Sequence, residues 1–314
     1  MAPKPARRLA PYLFIALGIC AVSTASIFIR YAQREAPSLV IAAYRLGIAT
    51  LLITPVAWLR HRDELRGLTR RDLGWAALSG VFLGIHFAVW ISSLDYTSVM
   101  ASVMLVTTSP LWVALASAWL LREPLTRGTV RGMALTVVGG ALIAVGGSSA
   151  GGGDNALWGD FLALAGAWAV AVYWLIGRSL RARLSVIPYT WLVYGTAALI
   201  LWGAVIVGNL AGADLPATGF PVETFVWFAL LAVVPQLMGH SSFNYALAHL
   251  SAVFVSVATL GEPVGSAILA MLLLDETPTP VQALGAALIM AGILLASREE
   301  QAAAVEAEPA PPSR

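Results

Sequence analysis

Residues 251–297 read SAVFVSVATLGEPVGSAILAMLLLDETPTPVQALGAALIMAGILLAS, and residues 98–144 read SVMASVMLVTTSPLWVALASAWLLREPLTRGTVRGMALTVVGGALIA. At a fixed shift of 153 residues the two stretches align Ser98 with Ser251, Pro110 with Pro263 and Leu120–Leu121 with Leu273–Leu274. The register continues through Glu123 and Glu276, Thr126 and Thr279, Gly132 and Gly285, and Gly139 and Gly292. It reaches back to Leu94 and Leu247, and Pro37 and Pro188 pair at a slightly smaller shift. Matched Leu and Ala are cheap coincidences in an apolar chain. Matched Pro, Glu, Thr and Gly at one offset are not, so the chain reads as two copies of one unit.

Working outward, the whole chain shares this apolar character. Of its 314 residues, 59% are hydrophobic and 11% charged, against about 25% charged in a soluble domain. A span needs about 20 mostly apolar residues. Ten stretches qualify, at approximately 11–29, 37–58, 74–94, 98–120, 128–147, 156–176, 188–209, 224–247, 251–274 and 280–297. Lipid offers no partner to a bare backbone, so these are expected to be helices. They are too long and too uniformly apolar for barrel strands. The start of the chain, Lys4, Arg7 and Arg8 before an apolar run, imitates a signal peptide. The run is long enough to span and no convincing cleavage site follows, so it reads as the first span.

Charge supplies orientation. Counting loops from the N-terminus, 16 of the 19 basic residues fall on one side; Arg30 and Arg34 fall on the other, and Arg45 lies inside a span. The positive-inside rule then puts both termini in the cytoplasm of a bacterial-type inner (plasma) membrane. Each repeat holds five spans, an odd number, so the second copy enters the membrane upside down. The expected fold is an all-α membrane protein of ten transmembrane helices in two inverted five-helix repeats, 1–149 and 150–298. Residues 299–314, rich in Ala, Glu and Pro, are expected to form a disordered tail. Inverted repeats of this kind mark secondary transporters, with the substrate site near mid-membrane at the repeat interface.

The polar residues inside the spans are the candidate site. Glu262 lies about 11 residues into the ninth span, roughly 16 Å deep at 1.5 Å per residue. A carboxylate there needs a cavity or a partner; it reads as a proton carrier, a seat for a cationic group, or a structural acid paired with Arg45. Arg45, in the second span, reads as a structural partner or as a seat for a substrate carboxylate. Ser109 stands where the first repeat matches Glu262. Pro110 and Pro263 each remove a helical hydrogen bond, freeing the carbonyls of Val106 and Thr259, and are expected to bend their spans beside the cavity. Gln236, His240 and Asn244 share a face at i, i+4 and i+8, and Ser79, His86, Trp90 and Ser93 share one on the third span. These stripes read either as facing cavity walls between helices 3, 4, 8 and 9, or as interhelical hydrogen bonding. Trp168, Tyr173 and Trp174 read as an aromatic wall or as lipid-facing bulk. Glu123 and Glu276 end their spans and read as loop anchors, and Thr279 to Gln282 spells a capping box with Pro280 at the first helical position. The paired glycines read as close helix contacts.

Several classes are disfavoured. There is no G-x-x-x-x-G-K-[ST] phosphate loop and no HExxH, and a single cysteine, Cys20, permits neither an internal disulfide nor a cysteine metal cluster. No catalytic residue, metal or cofactor is expected, and no nucleic-acid partner. The expected partners are the bilayer and a small-molecule substrate, with the chain a monomer or a homodimer.

Taken together, the Glu262-Pro263-Val264 motif, the Leu-Leu-Leu-Asp275-Glu276-Thr277-Pro278-Thr279 run, Ser109-Pro110-Leu111, Arg122-Glu123-Pro124-Leu125-Thr126, Arg45 and Leu94-Asp95-Tyr96-Thr97-Ser98 resemble the ten-helix, EamA-type branch of the drug/metabolite transporter superfamily. The resemblance covers essentially residues 11–297. It implies a two-fold pseudosymmetric bundle with a cavity lined chiefly by helices 1, 3, 4, 6, 8 and 9. It further implies ATP-independent movement, often outward, of amino acids, other metabolites or drugs.

Overall fold

A computed structural model describes residues 5–121, 127–149, 155–250 and 252–306. Among these residues every regular element is helical. Seven helical segments are long and apolar enough to cross a membrane: Ala10–Ala32, Ser38–Arg60, Arg70–Ser93, Val99–Ala116, Ala156–Arg181, Val186–Leu210 and Val222–Ala246. Three shorter apolar helices, Val130–Ile143, Gly261–Leu273 and Pro280–Leu295, lie where the sequence placed the fifth, ninth and tenth spans. The chain is therefore a multi-pass helical membrane protein.

Three of the segments are broken, each at hydroxyl residues. The first divides into α1 (Pro5–Val22) and α2 (Ala25–Ala32). At the break Ser23 Oγ donates to the Ile19 carbonyl at 2.8 Å and Thr24 Oγ1 to that of Ala21 at 2.7 Å. The fourth divides into α6 (Val99–Val106) and α7 (Ser109–Leu121). There Thr107 Oγ1 takes the Val103 carbonyl at 2.8 Å and Thr108 Oγ1 that of Leu105 at 2.7 Å. A hydroxyl that bonds back to the preceding turn competes with the backbone ladder and bends a helix. The ninth divides into α13 (Ala252–Ala258) and α14 (Gly261–Leu273). Pro110 and Pro263 thus sit in the first turn of the helix after each break, where a missing N–H costs least. The Thr259 carbonyl is not released as expected: it accepts from the Glu262 N–H at 2.9 Å, because the chain tightens into a short turn before the proline.

The unbroken helices are α3 (Ser38–Arg60), α5 (Arg70–Ser93), α9 (Ala156–Arg181) and α10 (Val186–Leu210). α5 packs along α9, and α10 along both α3 and α5. Their starts are written in the sequence: Thr69 and Asp72 form a capping box at α5, and Ser98 caps α6 through the Ala101 N–H. The eighth segment runs from α11 (Val222–Leu231) through a π-helix, Ala232–His240, into α12 (Ser241–Ala246).

α8 (Arg127–Ser149) and α15 (Pro280–Glu306) form the closest helix pair. A Cβ placed on Gly139 would lie 2.5 Å from the Gly285 carbonyl oxygen, and one on Gly285 would lie 2.6 Å from that of Gly139. One on Gly292 would lie 2.5 Å from the Gly132 carbonyl. Only glycine allows backbones this close. The pairing 139 with 285 and 132 with 292 makes the two helices antiparallel. Thr279 and Gln282 form the expected capping box at the start of α15, with the Gln282 N–H 3.2 Å from Thr279 Oγ1 and the Thr279 N–H 3.0 Å from Gln282 Oε1. The end of α15 departs from expectation. Helix continues to Glu306, eight residues past Arg298, because Ala, Gln and Glu in QAAAVE are strong helix formers; residues 307–314 lie outside those described.

Polar ties close each end of the bundle. At the end carrying Arg30, Glu276 Oε1 pairs with Arg30 Nη2 at 3.1 Å while its Oε2 accepts from the Val99 N–H at 2.8 Å. Its carboxylate therefore sits on the positive end of α6, as a loop anchor would. Glu123, its repeat counterpart, lies outside the described residues. At the arginine-rich end, Glu64 on the short α4 (Arg62–Arg66) accepts from the N–H and Oγ of Ser185 at the start of α10. Burial would lift the Glu64 carboxyl, but these bonds and His61 outweigh it and hold it below the usual carboxylate range.

Candidate functional site

A small cavity lies where the broken and distorted helices meet. It is lined by His86 and Trp90 from α5, Val106, Thr107 and Ser109 from the α6–α7 break, Val170 and Trp174 from α9, His240 and Phe243 from the π-helix and α12, and Thr259 and Glu262 from the α13–α14 break. Its volume is about 40 Å³. That admits a water or a single functional group, whereas ligand pockets usually run to about 300–1,000 Å³.

Aromatic rings build most of the wall. His86 stacks on Trp90 with centroids 5.8 Å apart, and Trp174 lies nearly parallel to His240 at 6.3 Å. His86 and His240 approach to 6.4 Å. His86 Nδ1 meets the Gly166 carbonyl at 2.9 Å, which fixes the ring against α9. Gly166 matters here because a Cβ would come within 3.2 Å of the Trp90 Cβ, so glycine lets α9 close on the wall. His240 Nδ1 and Trp90 Nε1 are buried without a protein partner.

Arg45 stands one layer behind. It is fully buried. Its Nε donates to Gln236 Oε1 at 2.8 Å, and its guanidinium lies 4.1 Å from the Phe87 ring centroid and 6.0 Å from that of Trp90. Glu262 is close enough to attract it electrostatically. Among the described residues, however, the two do not close an ion pair, so the Arg45-paired alternative for Glu262 is not realised in this conformation.

Of the candidates named from sequence, His86, Trp90, Ser109, His240 and Glu262 line one cavity. Pro110 and Pro263 flank it without lining it. Gln236 and Asn244 do not line it. The segment winds as a π-helix only as far as His240, which changes the angle between Gln236 and His240, while Asn244 follows on α12. Gln236 therefore turns to Arg45, and Asn244 accepts from Tyr173 Oη at 2.7 Å. On α5, Ser79 bonds Tyr189 Oη at 3.1 Å and Ser93 bonds Ser102 Oγ at 2.6 Å, so both serve helix contacts. Trp168 lies apart, 40% exposed and edge-on to Trp112 at 5.4 Å, and Trp174 supplies the aromatic wall. Val106 and Thr259 were singled out only for their carbonyls, and Thr107, Val170 and Phe243 were not foreseen. Thr107 and Thr259 were legible as neighbours of the two prolines; Val170 and Phe243 carried no signal beyond apolarity.

A profile described as the EamA-like transporter family matches residues 9–145 and residues 157–298. An uncharacterized transporter of Archaeoglobus fulgidus is 26% identical over 291 residues, covering 92% of this chain and 98% of that protein. A protein of Streptantibioticus cattleyicolor named a probable terminal-alkyne amino-acid exporter is 30% identical over 198 residues, covering 62% of this chain and 63% of its own length. One solved crystal structure superposes with a TM-score of 0.66 at 19% identity, covering 93% of this chain and 98% of that one.

Proposed function

The chain belongs to the EamA-like transporter family, and from that premise we propose that it is a secondary transporter that exports a small metabolite, an amino acid above all, by alternating access through the central cavity. The observation that carries this reading is the meeting of both proline-flanked breaks, Thr107–Ser109 and Thr259–Glu262, at one aromatic cavity. Elements that already depart from regular helix are the ones able to rearrange. A cavity of about 40 Å³ must widen before it holds any solute. The similarity to a named amino-acid exporter supports the substrate class and the outward direction.

The architecture proposed is ten helices in two inverted five-helix repeats, 1–149 and 150–298. Two separate matches to one family profile support it. The glycine contacts support it more physically. Gly132 and Gly285 are repeat mates, as are Gly139 and Gly292, yet the contacts run crosswise, 139 to 285 and 132 to 292. A contact in which i meets j while the mate of j meets the mate of i is what a two-fold axis between α8 and α15 dictates. The arginine asymmetry supports termini that both lie on the cytoplasmic side of the inner membrane. Glu262 is the proposed coupling acid: it takes either a proton or the cationic end of the substrate, so the two exchange across the membrane. The protein acts as a monomer or homodimer.

Everted membrane vesicles carrying the protein, supplied externally in turn with labelled amino acids and small amphiphilic drugs, test this. Accumulation that needs an imposed pH gradient is expected. Equilibration without accumulation would make the protein a passive facilitator. Absence of flux for every solute would remove the reading.

A further inference from the structure

The donors around Arg45 outnumber the acceptors. One edge of its guanidinium is spent on Gln236 Oε1 and one face is covered by Phe87. Nη1 and Nη2 are buried with no protein partner. So are Trp90 Nε1 and Gln236 Nε2. All four nitrogens can donate and none can accept. Arg45 and Gln236 are fully buried and Trp90 is 2% exposed. A fixed positive charge at this depth with four of its five N–H donors idle is costly, and only an acceptor, best an anion, repairs it.

We propose that the outer edge of Arg45 is a carboxylate subsite, which takes the carboxylate of the transported molecule while Trp90 Nε1 supplies a third donor. The assignment rests on the amino-acid reading above for the identity of that molecule. A guanidinium edge offers two parallel N–H groups that match a carboxylate. A phosphate fits the same fork, but it would set up to two negative charges against one buried arginine with Glu262 already near. A single negative charge balances the site. The positions of the opposite charges agree. Glu262 lines the cavity and is attracted by Arg45 without pairing with it. The site thus holds a cation and an anion apart, as a zwitterionic amino acid holds its ammonium and carboxylate. Trp90 belongs to both layers: it lines the cavity and lies beneath the Arg45 guanidinium. A rotation of its indole would join the cavity to the subsite.

The test uses the full chain in nanodiscs, with acetate, benzoate, L-phenylalanine and L-phenylalaninamide as probes and the rise in melting temperature with ligand concentration as the readout. Flux of labelled phenylalanine in proteoliposomes is read in parallel. Benzoate and phenylalanine are expected to stabilise the wild type. The amide, which lacks the negative charge, is expected to bind at least about tenfold more weakly. R45Q is expected to erase that difference, and R45K, a point charge without the fork, to restore it only in part. Equal binding of acid and amide by the wild type would overturn the subsite, as would failure of all three carboxylates to stabilise it. Neither comparison needs a variant to fold. Binding of benzoate without any flux of phenylalanine would leave the subsite standing and count against the amino-acid reading instead.

Discussion

Adding one methyl group at Gly285 should pry α8 and α15 apart. An ideal Cβ there falls 2.6 Å from the carbonyl oxygen of Gly139, 3.0 Å from Ile143 Cγ1 and 3.1 Å from the Ile143 backbone nitrogen. Two of these three atoms are backbone, so no rotamer change relieves them. Comfortable contact begins at about 3.5 Å, so α8 and α15 must separate by roughly 0.9 Å. Overpacking of this kind costs about 1–3 kcal/mol. Alanine also has a better helix propensity than glycine by up to about 1 kcal/mol, so the control must share that gain. Gly74 in α5 serves, because a Cβ there meets nothing within 4 Å. Propensity cancels between Gly285→Ala and Gly74→Ala, leaving the clash alone. Thermal denaturation followed by fluorescence-detected size exclusion should place G285A several degrees below G74A, at about 2–4 °C per kcal/mol for a chain approaching this size. G139A should match G285A, since its Cβ meets the Gly285 carbonyl at 2.5 Å. Melting of G285A and G139A alongside G74A would refute the crosswise packing and the two-fold relation drawn from it.

Three further outcomes follow. With Cys20 replaced, cysteines at His86, His240 and Ser109 should react with a small aqueous thiol reagent and be protected by substrate, while one at the 41% exposed Ile85 should not be protected; protection of Ile85 alone would misplace the cavity. Reporter fusions at Arg298 should show cytoplasmic activity and fusions within Gly151–Gly153 periplasmic activity; the same result at both sites would break the odd-span topology. Glu64 is held below its ordinary value by Ser185, with burial opposing. A depressed carboxyl stabilises the fold above its unfolded value of about 4.3 and loses that effect as pH falls through its folded value. The melting difference between wild type and E64Q should therefore be present at pH 7 and fade below about pH 4, and a difference that grew on acidification would contradict the Ser185 contact.

What was legible in the sequence divides along physical lines. Hydropathy located the apolar helices because lipid constrains every residue of a span in the same way. Thr279 with Gln282 announced a helix start because caps are local, whereas the equally local caps at Thr69 with Asp72 and at Ser98 emerged only in the structure. The two glycine pairs announced close contact but not its crosswise register, which depends on how two distant helices cross. Of the polar stripe Gln236, His240 and Asn244 only His240 lines the cavity; the π-helix that separates Gln236 from His240 leaves little trace in composition. Arg45 and Glu262 were conspicuous as charges, yet their separation is tertiary. Trp168 and Trp174 lie six residues apart on α9, and only packing decides which of them meets the cavity. The helix beyond Arg298 was missed because proline and acidity near the end of the chain outweighed the Ala-rich run before them.

The central claim is that Glu262 exchanges a proton for substrate as the cavity alternates. Gln keeps the size and hydrogen bonding of that side chain while removing its titration. Proteoliposomes containing wild type or Glu262→Gln, supplied externally with labelled phenylalanine and given an outward or an inward pH gradient, measure the claim directly. Wild type should accumulate label against its gradient. The variant should fold and should exchange label for unlabelled solute at a measurable rate, yet fail to accumulate it under either pH gradient. Gradient-driven accumulation by a well-folded Glu262→Gln protein at the wild-type level would contradict the account.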